Sequence, residues 1–324
     1  MLTDQFGRTI RYLRLSVTDR CNLRCTYCLP KRFKGFQEPS HWLNFDQIVR
    51  VVNVFAKLGV QHLRITGGEP LLRRNLPELI KRLALLPNLT DLSLTTNATQ
   101  LLKLAEPLYL AGVNRLNVSI DSLRQECIQA ITGSDSLQSV INGLMQAKAV
   151  GFSPIKLNMV MMAGVNEHDV EPMAAFCIEQ GFVLRLIEAM PIGKTGRSAA
   201  FMSIYPLLER LKKRYQLQPL SEELGGGPAR YWGASDGRLT IGVITPMSQH
   251  FCATCNRVRL SVDGVLYPCL GQNSALSLKP ILDASNSDEK LEIAICEAIR
   301  NKPERHEFIE QPKKIIRFMS ALGG

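Results

Sequence analysis

The sequence predicts an α/β fold, namely a partial (β/α)6 barrel similar to a TIM barrel, with a smaller C-terminal domain behind it. Strand-like segments alternate with helix-like segments over most of the chain, which is typical of a parallel sheet with helical crossovers. The strand-like segments also alternate polar with apolar residues, whereas parallel strands covered on both faces are apolar throughout. The polar faces must therefore line an interior, and a sheet that curls into a partial barrel provides one.

The predicted strands lie at about 11–18, 62–66, 91–96, 114–121, 155–161 and 183–190. Helical patterns separate the first five, for example at 45–58 and 76–86. A period of two places a polar set on one face of these strands. Its members are Arg14, Ser16 and Thr18; Arg64 and Thr66; Ser93, Thr95 and Asn97; Asn117, Ser119 and Asp121; and Lys156 and Asn158. Several cations within strands predict an anionic guest in the interior.

Six cysteines in two groups of three carry the most specific chemistry. The first triplet is Cys21, Cys25 and Cys28, directly after the first strand, and the second triplet is Cys252, Cys255 and Cys269. A cubic iron-sulfur cluster has four irons and normally four thiolate ligands, so three thiolates leave one iron free to bind something else. The alternative is structural zinc, which needs four ligands. His41 is the histidine nearest to the first triplet, and His250 could complete the second.

Length and charge limit the remaining possibilities. The 324 residues suffice for two domains, and we predict a barrel domain at 1–220 and a C-terminal domain at 221–324. Lys and Arg number 39 against 29 Asp and Glu, a net charge of +10 that suits a phosphorylated small molecule, a nucleic acid or an anionic membrane. The short basic clusters lack interleaved aromatic residues, which argues against a zinc protein that binds nucleic acid. Without a signal peptide or an apolar run of roughly 18 residues, we expect a cytoplasmic protein that binds no membrane.

The first triplet, with Tyr27 between its last two cysteines, resembles the signature of the radical S-adenosylmethionine family. Gly67-Gly68-Glu69-Pro70 follows the second strand and resembles the motif that contacts the methionine end of the cofactor in this family. The resemblance implies that Cys21, Cys25 and Cys28 hold a [4Fe-4S] cluster that binds S-adenosyl-L-methionine. It also implies cofactor contacts at Tyr27, Gly68, Ser119 and Met190.

The segment 247–260, together with Asp263-Gly264 and Cys269, resembles the second-cluster motif of one branch of this family. That branch acts on GTP in the first step of molybdenum cofactor synthesis. The resemblance implies a second [4Fe-4S] cluster on Cys252, Cys255 and Cys269, whose free iron faces the guanine. It implies GTP contacts at Arg14, Arg64, Thr95, Lys156, Arg257, Val258 and Arg259. It further implies that the C-terminal tail reaches the active site, with catalytic roles for Arg257, Arg259, Gly323 and Gly324.

The resemblance also implies the reaction and its partners. A 5′-deoxyadenosyl radical would abstract the C3′ hydrogen of GTP, and attack of C3′ on C8 would give (8S)-3′,8-cyclo-7,8-dihydro-GTP. The implied partners are a low-potential electron donor and a downstream cyclic pyranopterin monophosphate synthase. No nucleic acid partner is expected. The chain is expected to be a monomer or homodimer. The alternative within the family is an enzyme that modifies a peptide with an auxiliary cluster, although such C-terminal regions usually carry more cysteines.

Overall fold

The computed structural model describes residues 1–30, 38–221, 224–284 and 286–323, which form one mixed β-sheet covered by helices. The strands are β1 (Tyr12–Ser16), β2 (His62–Thr66), β3 (Asp91–Thr96), β4 (Arg115–Ser119), β5 (Ile155–Met161), β6 (Val183–Glu188), β7 (Leu217–Leu220), β8 (Arg230–Ala234), β9 (Thr240–Ile244), β10 (Arg257–Leu260), β11 (Val265–Tyr267) and β12 (Leu276–Ser277). The six strands that the sequence predicts are β1 to β6, and all six are confirmed, some with earlier ends.

The helices are α1 (Phe45–Lys57), α2 (Leu76–Ala84), α3 (Leu101–Leu110), α4 (Gln125–Thr132), α5 (Leu137–Val150), α6 (Val170–Gln180), α7 (Gly193–Ser198), α8 (Tyr205–Tyr215), α9 (Lys279–Ala284), α10 (Asp288–Arg300) and α11 (Met319–Leu322). Most of the first eight connect successive parallel strands, as the alternating pattern predicts. Within the described ranges, none of these helices has both the length and the apolar character needed to cross a bilayer.

The sheet has the strand order β12-β11-β10-β1-β2-β3-β4-β5-β6-β9-β8-β7. Strands β10, β1 to β6 and β9 are parallel, whereas the strands at both edges are antiparallel. The C-terminal strands extend the sheet on both sides, because β10 pairs with β1 and β9 pairs with β6. A domain boundary at residue 220 stays a prediction, since one sheet contains strands from both sides of it.

Helix α1 shows how the local sequence starts and orients a covering helix. The Asn44 side chain accepts a hydrogen bond from the Gln47 N–H at 2.9 Å, and the Gln47 side chain accepts one from the Asn44 N–H at 3.1 Å. This reciprocal cap satisfies two donors that a helix start leaves unpaired. Ile48, Val51 and Phe55 recur on one face and are buried in the main hydrophobic core. Truncation of a fully buried phenylalanine such as Phe55 costs about 3–5 kcal/mol.

The sheet curls around a polar interior. Apolar residues of the inner strands, such as Leu13, Leu63 and Leu94, lie in the main core beneath the helices. Their polar neighbours line one cavity to which strands from β10 at one side to β9 at the other contribute. In a flat sheet these two strands, seven intervals of about 4.8 Å apart, would be separated by about 34 Å. A cavity that both strands share therefore requires a curled sheet, which confirms the predicted partial barrel.

The topology places the two cysteine triplets at opposite ends of the barrel. The first triplet follows β1, at the carboxyl end of the parallel strands. Residues 245–256 leave the carboxyl end of β9 and return to the amino end of β10, so Cys252 and Cys255 lie just before that strand. Cys269 follows β11, which is antiparallel to β10 and therefore ends at the same side. The inward-facing polar residues lie between the two triplets.

Candidate active site

A cavity with an empty volume of about 1030 Å³ lies in the barrel and opens partly to solvent. All three cysteines of the second triplet line it. No Asp or Glu among the residues that the structure describes contributes to its wall. The cationic side chains in the wall are Arg14, Arg64, Arg185, Arg257, Arg259 and Lys302. A concave surface with charge of one sign attracts and concentrates an anionic ligand.

Three of these arginines lie side by side across the sheet. Arg14 on β1 is directly opposite Arg64 on β2 and Arg259 on β10. Burial, followed by repulsion from Arg259 and Arg64, holds the pKa of Arg14 well below its usual value. Burial and the charge of Arg257 lower the pKa of Arg259 to about 10. Because like charges opposite each other destabilise a sheet, this band favours the binding of an anion that neutralises it.

Neighbouring groups hold the inner side chains in place. The Arg64 Nε donates to Ser93 Oγ at 3.3 Å, and its guanidinium lies 5.4 Å from the centre of the Tyr12 ring. Arg185 donates to the Asn117 side-chain oxygen. The Thr95 hydroxyl, in contrast, is buried and has no hydrogen-bond partner within the described ranges. A buried hydroxyl without a partner is costly unless a ligand satisfies it.

The C-terminal tail enters the same interior. Arg14 donates from Nε and Nη2 to the Gly323 carbonyl oxygen at 3.2 Å and 3.0 Å. Gly323 has a φ of +70°, and a Cβ at this position would lie 2.3 Å from Thr66 Cγ2, so a glycine is required. Met319, at the start of α11, lines the cavity. The tail therefore reaches the interior as far as it is described, and Gly324 lies outside the described residues.

A second cavity of about 370 Å³ lies beside the first triplet. It brings together Cys25, Tyr27 and Ser119, of which the last two are predicted cofactor contacts. The Tyr27 hydroxyl donates to Asp121 Oδ2 at 2.8 Å, and the Val160 N–H donates to Asp121 Oδ1 at 2.8 Å. Burial raises the pKa of Asp121 to about 6. The second cavity is thus formed by a ligand of the first triplet and by polar groups with fixed orientations.

Gly68 brings the loop after β2 into contact with the loop of the first triplet. Its N–H donates to the Thr18 carbonyl oxygen at 2.8 Å. A Cβ on Gly68 would lie 2.3 Å from the Arg20 carbonyl oxygen, which is main chain and cannot move aside independently. Residues 18–20, immediately before Cys21, can therefore lie this close only because residue 68 has no side chain.

Glu69, the next residue, connects this loop to the end of β3. Its buried carboxylate accepts from the Thr96 hydroxyl and from the Asn97 N–H, each at 2.6 Å. Burial raises the pKa of Glu69 to about 7. The Asn97 side chain then donates to Cys21 Sγ at 3.8 Å. The motif thus positions the first triplet through two successive side chains.

Comparison with known proteins assigns the family. Residues 15–177 match the model of the Radical SAM superfamily, and residues 182–308 match the model described as Molybdenum Cofactor Synthesis C. A GTP 3′,8-cyclase of Ectopseudomonas mendocina is 44% identical over 328 residues, which cover 100% of this chain and 98% of that protein. The chain belongs to the GTP 3′,8-cyclase family of radical S-adenosylmethionine enzymes. A further GTP 3′,8-cyclase, from Listeria monocytogenes, is 38% identical over 334 residues, covering 100% of this chain and 99% of that protein.

Solved structures share the fold of this family. The S-adenosylmethionine-bound structure of SuiB from Streptococcus suis has a TM-score of 0.66 at 17% identity, covering 91% of this chain and 68% of that one. The structure of anSMEcpe with bound AdoMet has a TM-score of 0.58 at 16% identity, covering 96% and 87%. Membership of the cyclase family decides against the zinc protein and the peptide-modifying enzyme as interpretations of the sequence.

The first triplet is compatible with the [4Fe-4S] cluster that this family implies. The Leu23 N–H donates to Cys21 Sγ at 3.4 Å, as expected for a sulfur that carries negative charge. Burial raises the pKa of Cys21 to about 11 and that of Cys28 to about 12, so a bound metal has to supply the charge that stabilises the thiolates. A structural zinc site needs four protein ligands, whereas a cube bound by three thiolates keeps one iron open for S-adenosylmethionine.

The second triplet combines thiols with cations. Burial acts to raise the pKa of Cys255, but the charges of Arg257 and Lys302 outweigh this and lower it to about 7. Arg257 Nη2 donates to Cys255 Sγ at 3.8 Å. His250 is exposed, and its ring packs against the ring of His306 at 5.7 Å. His250 does not line the large cavity, whereas all three cysteines of the triplet do.

Three predicted contacts lie elsewhere than the sequence suggests. Lys156 is 1% exposed and does not line the large cavity, because its Nζ donates to the Leu224 carbonyl and lies 3.5 Å from the Tyr231 hydroxyl. Val258 lies between Arg257 and Arg259, which face the interior, so its own side chain points the other way, into the main hydrophobic core. Only the main chain of Val258 can therefore face a substrate. Met190 lines the large cavity and not the one beside the first triplet. The roles of these residues stay predictions.

Two cationic residues of the wall were not singled out from the sequence. Arg185 is 3% exposed and lies between Leu184 and Leu186, so the same period of two identifies it in retrospect. Lys302 follows α10 in an irregular segment, where no periodic pattern marks it.

Proposed function

We propose that the protein cyclises GTP to (8S)-3′,8-cyclo-7,8-dihydro-GTP by a radical S-adenosylmethionine-dependent reaction, the first step of molybdenum cofactor biosynthesis, and is therefore a lyase. The observation that carries this proposal is an arginine-lined cavity that the second triplet lines, in a barrel whose opposite end carries the first triplet. The full-length relatives named GTP 3′,8-cyclase support it.

The first triplet would hold the [4Fe-4S] cluster, with Tyr27, Gly68 and Ser119 next to S-adenosylmethionine. When bound and supplied with one electron, these groups provide abstraction of the hydrogen atom at C3′ of the substrate. The protein provides binding, orientation and exclusion of water. The fixed hydroxyl of Tyr27 and the close main-chain packing at Gly68 serve this orientation.

The substrate would occupy the large cavity. Arg14, Arg64 and Arg259 form the band that neutralises a triphosphate, and a guanidinium can donate two parallel hydrogen bonds to phosphate oxygens. The Thr95 hydroxyl, which has no partner among the described residues, would supply a further polar contact, and Arg257 lies on the same strand as Arg259. Binding of the anion removes the repulsion among these arginines, so affinity and specificity for a nucleotide polyphosphate have the same origin.

The tail takes part by orienting the same band. The Gly323 carbonyl holds two donors of Arg14, and we place Gly323 in catalysis for that reason. Gly324, outside the described residues, is placed in catalysis on the family resemblance alone. A side chain at position 323 would collide with Thr66, so the tail can enter the interior only with a glycine at this position.

The second triplet would hold a second [4Fe-4S] cluster whose free iron faces the guanine. Its position in the wall of the large cavity, at the end opposite the first triplet, supports this assignment. We further propose a cytoplasmic monomer or homodimer that takes electrons from a low-potential donor and passes its product to cyclic pyranopterin monophosphate synthase, without nucleic acid or membrane partners.

Anaerobic reconstitution followed by iron and sulfide analysis tests the proposal. We expect about eight irons per chain, from two four-iron clusters, and release of 5′-deoxyadenosine that depends on GTP. Cys269→Ala should abolish GTP cyclisation while S-adenosylmethionine is still cleaved slowly at the first cluster. Cys296→Ala, at a partly buried cysteine outside both triplets, should retain full activity. Full GTP cyclisation by Cys269→Ala would refute the role of the second triplet.

A further inference from the structure

Lys302 is a buried cation behind the second triplet. Its side chain is 1% exposed, lines the large cavity and donates from Nζ to the Arg257 carbonyl at 3.1 Å and to the Pro268 carbonyl. No carboxylate within the described ranges forms an ion pair with it. Burial of an ammonium group without a counter-charge is expensive. The position of Lys302 therefore calls for an anion that the described carboxylates do not provide.

The main-chain groups that Lys302 binds adjoin the second triplet. Pro268 directly precedes Cys269, and Arg257 follows Cys255 by two residues. One ammonium group thus ties together the two segments that carry these cysteines. Because both acceptors are neutral carbonyls, the full positive charge stays beside the triplet.

Arg8 holds Cys252, the third member, but with a different charge balance. Its Nη1 donates to the Cys252 carbonyl at 2.9 Å, and its Nη2 donates to the Pro303 carbonyl at 2.6 Å. Its Nε donates to Asp4 Oδ2 at 2.6 Å, and Asp4 is itself buried. This ion pair neutralises Arg8, so Arg8 positions the main chain, whereas Lys302 adds its full positive charge to that of Arg257 beside the triplet.

We propose that Lys302 is a resident counter-charge of the second cluster and raises its reduction potential. The inference rests on the proposed second cluster. A one-electron reduction adds one negative charge to a cube that already carries three thiolates, so a fixed cation buried away from bulk water favours the reduced form. Lys302 is a positioning and tuning residue in this role, and it needs no contact with GTP.

The test uses the full chain with Cys21, Cys25 and Cys28 replaced by serine, so that only the second cluster can assemble. Iron and sulfide analysis comes first, and we expect about four irons per chain. If the form with Lys302 intact assembles no cluster, the proposed second cluster is wrong, and this inference falls with it. The ratio of reduced to oxidised cluster is then followed by electron paramagnetic resonance during titration with dithionite at set potentials.

Lys302→Gln keeps a hydrogen-bond donor but removes the charge. We expect its reduced-to-oxidised ratio at a fixed potential to fall at least tenfold, which is about 59 mV for one electron. Lys302→Arg should stay within threefold of the unchanged protein. Lys313→Gln, the same substitution at an exposed position, should leave the ratio unchanged because water and salt screen its charge.

Each remaining outcome decides the question. A Lys302→Gln protein with four irons and an unchanged ratio overturns the proposal. Assembly in Lys302→Arg but not in Lys302→Gln supports it, because the positive charge is then required for the cluster to form. Failure of both variants to assemble overturns it, because Lys302 would then act through its shape alone.

Discussion

Replacement of Arg259 by methionine should stabilise the cluster-free protein and weaken GTP binding. Burial, followed by the charge of Arg257, lowers the pKa of Arg259 from 12.5 to about 10. This difference corresponds to about 3 kcal/mol against the charged form in the folded protein. Below about pH 10 the guanidinium is charged in both the folded and the unfolded chain, so the cost is present throughout the usual pH range. Removal of the charge should raise the free energy of unfolding by up to about 3 kcal/mol.

GTP affinity should change in the opposite direction. Arg259 is opposite Arg14, and its Nε has no hydrogen-bond partner in the described part of the chain, so this nitrogen can donate to an anion. Truncation of one partner of a buried, hydrogen-bonded charge pair costs about 2–5 kcal/mol. The dissociation constant should therefore rise between about 30-fold and several thousand-fold.

Two measurements separate these effects. Urea unfolding of the cluster-free protein reports stability, and anaerobic calorimetry of the cluster-loaded protein reports GTP binding. Arg300→Met, the same substitution at the exposed end of α10, is the matched control and should change neither quantity appreciably. A less stable Arg259→Met protein, or a GTP affinity within threefold of the original, would refute the reasoning about the cationic band.

Two further predictions concern the loop beside the first triplet. Gly68→Ala should weaken S-adenosylmethionine binding at least tenfold in equilibrium dialysis, because its Cβ would lie 2.3 Å from the Arg20 carbonyl oxygen. Gly227→Ala is the control, because no atom of the described residues lies within 4 Å of a Cβ at that position. Equal affinities of the Gly68→Ala and original proteins would contradict the steric argument. Glu69→Gln should remove the pH dependence that Glu69 gives to the free energy of unfolding. Burial raises the pKa of Glu69 from 4.5 to about 7, so the folded state holds this proton more tightly than the unfolded chain does. The free energy of unfolding of the original protein should therefore fall relative to that of the variant by about 3 kcal/mol as pH rises from about 4.5 to above 7. Urea unfolding of both proteins at each end of this pH range measures the change. A difference in stability between the two proteins that stays the same at both pH values would contradict this prediction.

The central part of the fold could be predicted because its pattern is local. The period of two in β1 to β6 identifies each strand and its inner face from a few consecutive residues. The edges could not be predicted in this way. Strand β10 pairs with β1 although the two are separated by most of the chain, and no short stretch of sequence records such a partner.

The candidate site likewise contains residues that a local sequence pattern identifies and residues that only packing between distant segments places. Arg14 and Arg64 were predicted to face the interior from the alternation alone, and both line the cavity. Lys156 obeys the same alternation, yet the segment that carries Leu224 covers its ammonium group. Which inward-facing cation meets the cavity therefore depends on a segment distant in sequence. Lys302 shows the converse, since its burial comes from packing against β10 and β11 and not from a pattern of its own.

The sequence by itself determined the chemistry of this protein: two sets of three thiols, a glycine-rich turn after a strand, and strands with one polar face. These properties are carried by residue types and short spacings, which are the same in the unfolded chain. The tertiary structure alone decided that the two triplets lie at opposite ends of the barrel, that the second triplet lines a cationic cavity, and that no carboxylate of the described residues pairs with Lys302. Such properties arise from which segments pack together, because proximity and burial are long-range consequences of the curled sheet.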